Sequence, residues 1–327
     1  MRYVLFTLIF TFLFVSCQDG ESSSNYTKLS GSVFGTTYHI SYDSDTNYSG
    51  AFDSIFALTN KSLSTYIQAS DISRINRGEP DVIVDEYFIE VFSKSQRIYK
   101  ESEGMFDPTI GLVVNAYGFG PEQALNKPPK ELIDKKMLYV GFDKVSIVNG
   151  LVVKEYPEIY FDFNSIAKGY GVDLIGRFLE TEGISNYMVE IGGEIRVRGL
   201  NDKGRLWTIA IEQPNFDMSR SVQEIIELNN ESIATSGNYR KFKVDKETGE
   251  KYVHTIDALT GEAKQSDLLS ASVISQGDCA DMDAYATLFM AFGFEQTKTF
   301  LSKHPELKVV LIYLDENGDS QVYQNWE

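Results

Sequence analysis

The spacing of apolar residues changes several times along the chain, and each change predicts an element. From Leu29 onward, Val33, Tyr38, Ile40 and Tyr42 sit among small or polar residues, which predicts a strand that turns at Gly35. Residues 49–66 place Phe52, Ile55, Phe56, Thr59 and Leu63 at steps of three and four, the spacing of one helical face. Val84, Phe88, Val91, Ser95 and Ile98 do the same and predict a helix over 84–101. Glycine and proline punctuate Gly118 to Pro129, which reads as loop. Short β-like runs at 145–153 and 159–163 lead into a helix over 165–180. Strands follow at 186–191, 194–198, 206–211 and 222–228, then helices at 280–292 and 295–302 and a terminal strand at 307–314.

These elements mix without a βαβ repeat, so the expected class is α+β rather than a doubly wound parallel sheet. No Pro/Ser-rich linker divides residues 29–327, which predicts one compact unit with room for two lobes. An apolar content of 43% supports a core of that size. The formal charge of −17, without any lysine- or arginine-rich run, argues against nucleic acid as a partner.

Met1-Arg2, the apolar stretch Tyr3 to Val15 and Ser16-Cys17 have the layout of a secretory signal, too short to span a bilayer. The boundary resembles a bacterial lipoprotein processing site, with Phe14 where leucine is usual. That reading makes 1–16 a signal peptide, Cys17 the lipidated first residue and 17–28 a polar tether. It places the domain in the bacterial cell envelope, on the periplasmic side, anchored to a membrane through lipid. An ordinary signal with an incidental cysteine is the alternative. Cys279 is then the only other cysteine, which leaves no intramolecular disulfide and suits a small buried residue.

Candidate chemistry gathers in a few polar clusters. Phe161 to Tyr170 packs Asp162, Asn164, Ser165, Lys168 and Gly169 between apolar segments, as where a strand feeds a helix N-terminus that favours an anion. Lys168 would add charge for a phosphate, and Gly169 would let the helix start lie close to it. The plainer reading has Asn164 or Ser165 capping the helix and Asp162 as a strand-end carboxylate. Farther on, Asp283 and Thr287 are four apart and share a helical face, where both can grip one hard cation. His39, His254 and His304 with one remaining cysteine form no zinc-like set, so a metal would be oxygen-bound. Asp283, Thr287 and a hydroxyl or carbonyl near Ser165 suit magnesium. Ala234 to Arg240 reads as a small-residue turn, with Arg240 near a ligand. Alternation over Lys251 to Asp257 puts Tyr252 and His254 on one face, where His254 could act as a base.

In order, these segments resemble the FAD:protein FMN transferases of the ApbE family over essentially all of residues 29–327. The matching stretches include Phe34 to Tyr38, Ser64-Thr65-Tyr66, Phe106 to Thr109, Gly118-Phe119-Gly120, Asp162 to Tyr170, Glu190 to Glu194, Ala234 to Arg240, His254 to Gly261 and Asp283 to Thr287. The resemblance implies a single mixed α/β domain, related to the T-fold. It implies that FAD is the substrate and that its FMN half moves, with Mg2+, onto a Ser or Thr hydroxyl of a partner protein, releasing AMP. It places the metal on Ser165, Asp283 and Thr287. Flavin-nucleotide contacts fall on Phe34, Tyr66, Met105, Phe106, Asp107, Asp162, Lys168 and Ile256, and His254 is the candidate base. Acceptors of the family kind are flavinylated subunits of redox pumps, such as the Rnf complex and the NADH:quinone reductase, or exported FMN-carrying domains. Two positions depart: Ala258 replaces a proline, which predicts a looser turn, and Tyr117 replaces a tryptophan. The competing functions are an FAD pyrophosphatase giving FMN and AMP, and a lipoprotein that only stores flavin.

Overall fold

The computed structural model describes residues 25–122, 127–214, 221–238, 242–245, 249, 251–263 and 266–326. Strands are β1 (Tyr26–Val33), β2 (Thr36–Asp43), β3 (Val145–Val148), β4 (Leu151–Lys154), β5 (Tyr187–Ile191), β6 (Glu194–Arg198) and β7 (Trp207–Glu212). They continue with β8 (Val222–Leu228), β9 (Ser232–Gly237), β10 (Phe242–Val244), β11 (Lys251–Val253), β12 (Leu268–Ser275), β13 (Lys308–Leu314) and β14 (Ser320–Gln324). Helices are α1 (Ser49–Leu63), α2 (Asp71–Asn76), α3 (Glu86–Glu101), α4 (Gly111–Ala116), α5 (Lys130–Met137), α6 (Ala167–Thr181), α7 (Cys279–Phe292) and α8 (Phe294–Leu301).

One sheet runs β1-β2-β5-β6-β9-β12-β13-β14, every neighbouring pair among the described residues being antiparallel. Its alternation separates two cores. Ala234, Ala271, Val273, Val309 and Leu311 point to the face covered by α7, while Ile195, Val197, Ile233, Ile274 and Val310 point to the other. There the β7–β8 hairpin closes the layer with Trp207, Ile211, Ile226 and Leu228. A third cluster joins Ile40 and Val189 of the sheet to Phe52 and Phe56 of α1 and Ile175 and Leu179 of α6. The mixed α/β class is as expected.

Several elements differ from expectation for identifiable reasons. β12 is buried at every position and shows no alternation to read. Residues 234–237 are the end of β9, not a turn: small residues let the strand pass under α7. The run 159–163 is not a strand, and among the described residues it makes one isolated bridge, Tyr160 to Ile110. The Asn76 side chain acts as its partner strand, accepting the Phe161 N–H (2.8 Å) and donating to the Phe161 carbonyl (2.9 Å). β1 begins at Tyr26 rather than Leu29, and β14 follows the strand expected to be terminal. The expected run at 145–153 is a hairpin turning at Asn149-Gly150, both at positive φ. Cys17, the signal peptide, Tyr239 and Arg240 lie outside the described residues.

Candidate active site

Two tight hairpins bring backbone to the same end of the sheet. β1 turns into β2 through Phe34 (φ 50°) and Gly35 (φ 76°), and β5 into β6 through Gly192 (φ 65°) and Gly193 (φ 107°). Positive φ is a strained choice for a phenylalanine, and here the ring is seated against Phe56 and over Gly171. Between these turns, the start of α6 and the face of α7 that carries Asp283, Thr287 and Ala291 lies a cleft of about 1340 Å³. Phe34, Tyr66, Met105, Phe106, Asp107, Asp162, Ser165, Lys168, His254, Ile256, Asp283 and Thr287, every site residue expected within the described chain, line it.

The starts of α6 and α7 are built from each other. The residue before α6 is Ile166, which caps nothing, so the expected cap by Asn164 or Ser165 is not made. Instead Asp283 of α7 accepts the Gly169 N–H at 3.1 Å in the first turn of α6. In return Asp173 of α6 accepts the N–H groups of Cys279 and Ala280, both at 2.9 Å, in the first turn of α7. Each helix thus supplies the carboxylate that satisfies the other's unpaired donors and complements its dipole. Gly169 serves this crossing rather than a ligand. A Cβ there would lie 2.3 Å from the Cys279 carbonyl oxygen and 2.8 Å from Ala280 Cα.

Lys168 lies between two carboxylates, Glu194 at 2.9 Å and Asp283 at 3.4 Å. Burial works against its charge, but Asp283 and Glu194 outweigh burial and hold the ammonium above its ordinary range. Glu194 is itself buried, and burial pushes its carboxyl upward against the pull of Lys168. Its second oxygen, Oε2, is buried and has no hydrogen-bond partner among the described residues. An unsatisfied buried acceptor beside an ammonium is costly and marks a site arranged for something other than stability. Glu194 was legible only as part of a matching stretch, since a strand-end glutamate carries no periodicity signal of its own.

Asp162 is buried, accepts the Asn164 N–H at 2.9 Å and has its carboxyl pushed up to about 6 by burial. Asp107 has a different commitment. Its Oδ1 accepts from the Thr109 N–H (2.8 Å) and hydroxyl (2.6 Å), and its Oδ2 from the Phe142 N–H (3.1 Å). Burial raises it to about 6 against those bonds. The Thr287 and Ser236 hydroxyl oxygens are 3.3 Å apart, which adds an oxygen that the sequence placed in a turn. Tyr252 and His254 both pack edge-on to Phe119, so they share a face as alternation predicted. The turn after His254 is closed despite Ala258, because Asp257 Oδ1 accepts the N–H groups of Leu259 (2.9 Å) and Thr260 (3.0 Å).

Among the described residues no three His, Cys, Asp or Glu side chains form a metal cage. Magnesium does not need one. It binds through one or two carboxylates, keeps waters and completes its shell with substrate phosphates. Asp283, the Thr287 hydroxyl and Ser165 line one cleft and are hard-oxygen donors of the kind that could hold such an ion with the substrate's phosphates.

The FAD:protein FMN transferase of Vibrio cholerae is 36% identical over 97% of this chain and 96% of its own length. That of Haemophilus influenzae is 34% identical over 97% and 95%. Among solved structures, the flavin transferase ApbE from Vibrio cholerae superposes with a TM-score of 0.81, at 36% identity over 91% of this chain and 96% of that one. The apo form of the Pseudomonas stutzeri flavinyl transferase ApbE gives 0.79, at 28% identity over 91% and 94%. With the family match extending over residues 34–311, the chain belongs to the ApbE family.

Proposed function

We propose that this protein is an FAD:protein FMN transferase that moves FMN onto a Ser or Thr hydroxyl of an acceptor protein and releases AMP. The observation that carries the reading is the convergence of Lys168, Asp283, Thr287, Asp162 and His254 on one cleft, with Asp283 fixed by the first turn of α6. The acceptor oxygen forms a bond to the flavin-side phosphorus, the anhydride bond to the AMP phosphate breaks, and the hydroxyl proton passes to His254. Lys168 lines the cleft and would bring its ammonium, now held between Glu194 and Asp283, to the pyrophosphate. Mg2+, held by Asp283, Thr287 and Ser165, would spread the charge that develops on the pyrophosphate. Holding both reactants in one cleft turns a bimolecular encounter into a positioned one.

The lipoprotein reading of Cys17 belongs to this proposal. It places the domain on a lipid anchor in the cell envelope, facing exported or membrane acceptors. Incorporation of labelled fatty acid into the wild-type chain, and its loss in Cys17→Ala, is the expected outcome.

The test incubates residues 18–327 with FAD, magnesium and the FMN-bearing domain of an NADH:quinone reductase subunit. The readouts are acceptor mass and AMP. An FMN increment on the acceptor with equimolar AMP is expected. AMP without an increment identifies an FAD pyrophosphatase, and unchanged FAD identifies a storage protein.

A further inference from the structure

We propose that the free edge of β7 is the docking strand for the acceptor, which adds to it as an extended segment and so brings its hydroxyl into the cleft. The inference rests on the transferase reading. Consecutive residues of a strand point to opposite faces, so a cavity lying over one face meets every second residue. Ile209, Ala210, Ile211 and Glu212 are consecutive, and all four line the cleft that holds Asp283, Thr287 and His254. No residue of β8 does. The cleft therefore runs along the edge of β7. Among the described residues β7 pairs only with β8, which leaves Trp207 to Ile211 with no strand paired to their other row of N–H and C=O groups.

Two more observations indicate a partner chain. Natural sheet edges are guarded by charge or proline, yet Trp207 to Ile211 carries neither, and only the register shift at Ile211/Glu212 ends the open stretch. The cleft, at about 1340 Å³, also exceeds the roughly 300–1,000 Å³ typical of small-molecule pockets, leaving room beside a dinucleotide. The occupant is an extended acceptor segment bearing the Ser or Thr, recognised through its backbone, which accommodates more than one acceptor sequence.

The experiment is a proline scan, one position at a time, over Thr208, Ile209, Ala210 and Ile211 in residues 18–327. The NADH:quinone reductase subunit domain serves as acceptor. Proline removes the outward N–H at every second position and a β7–β8 bond at the others. The expected result is a period of two. At the outward positions the acceptor KM rises roughly tenfold, the worth of about one backbone hydrogen bond and its fit, with FAD affinity and thermal midpoint unchanged. Hydrogen exchange in the unsubstituted enzyme reads the same edge without a mutation: adding acceptor should protect alternate amides of β7. Acceptor KM that only follows stability, a loss of FAD affinity at the outward positions, or no protection overturns the docking strand while transfer persists. No FMN on the acceptor with the unsubstituted enzyme overturns the transferase reading beneath it.

Discussion

Asp283 has two separable tasks: its oxygen accepts from Gly169 at the start of α6, and its charge faces the cleft beside Lys168. Asparagine keeps the first and discards the second, since Asn and Asp are comparable helix caps. Asp283→Asn should therefore lower kcat about 100-fold or more, the scale of a lost charge at a phosphoryl-transfer site, while unfolding free energy in urea moves by no more than about 1 kcal/mol. Asp283→Ala should lose activity and stability together. Full activity in Asp283→Asn would remove the metal assignment. Asp162 offers a prediction in pH. Its carboxyl is raised by burial from 3.8 to about 6, so the folded protein binds this proton more tightly than the unfolded chain. Its contribution is complete below about pH 4 and is lost as pH rises through about 6, a fall of about 3 kcal/mol at most. Asp162→Asn cannot titrate, so the difference in stability between wild type and variant should shrink over that window. A flat difference from pH 4 to 7 would contradict the burial argument.

At the scale of elements, α6 and α7 stand or fall as a pair. Their N-termini share Asp173 and Asp283, and Gly169 permits the close crossing that makes the exchange possible. Gly169→Ala puts a methyl against the Cys279 carbonyl, where backbone on both sides must give. Overpacking of this kind costs about 1–3 kcal/mol. The separation it forces should also lengthen the Gly169–Asp283 bond, so kcat should fall beyond what stability explains. Retention of wild-type kcat in a folded Gly169→Ala protein would show that the crossing distance does not matter to the site. The legibility of elements follows the same physics. α1 and α3 each bury one face, so their spacing is plain in the sequence. β12 is buried on both faces and β9 is built of small residues, so neither shows the alternation that marks a half-exposed strand. Capping by a carboxylate from another helix leaves no local signature, which is why Asn164 and Ser165 stood in for it.

For the whole molecule, the class was readable because strands and helices mix without a crossover repeat, and the lining of the cleft because its motif residues keep their order. The architecture was not readable in that way. An antiparallel sheet in which β6 pairs with β9, and β9 with β12, depends on contacts distant in sequence. The same long-range folding draws Lys168, Glu194 and Asp283 from three separate segments into one cluster, with both carboxylates buried and the ammonium half-buried. In the transferase proposal this cluster and His254 serve transfer of FMN to a protein. The most direct measurement is the intact mass of an acceptor domain after incubation with residues 18–327, FAD and magnesium, alongside the AMP released. One FMN phosphoester per acceptor and one AMP per increment are expected, both abolished in Asp283→Ala. AMP released without any change in acceptor mass would rule out transfer to a protein.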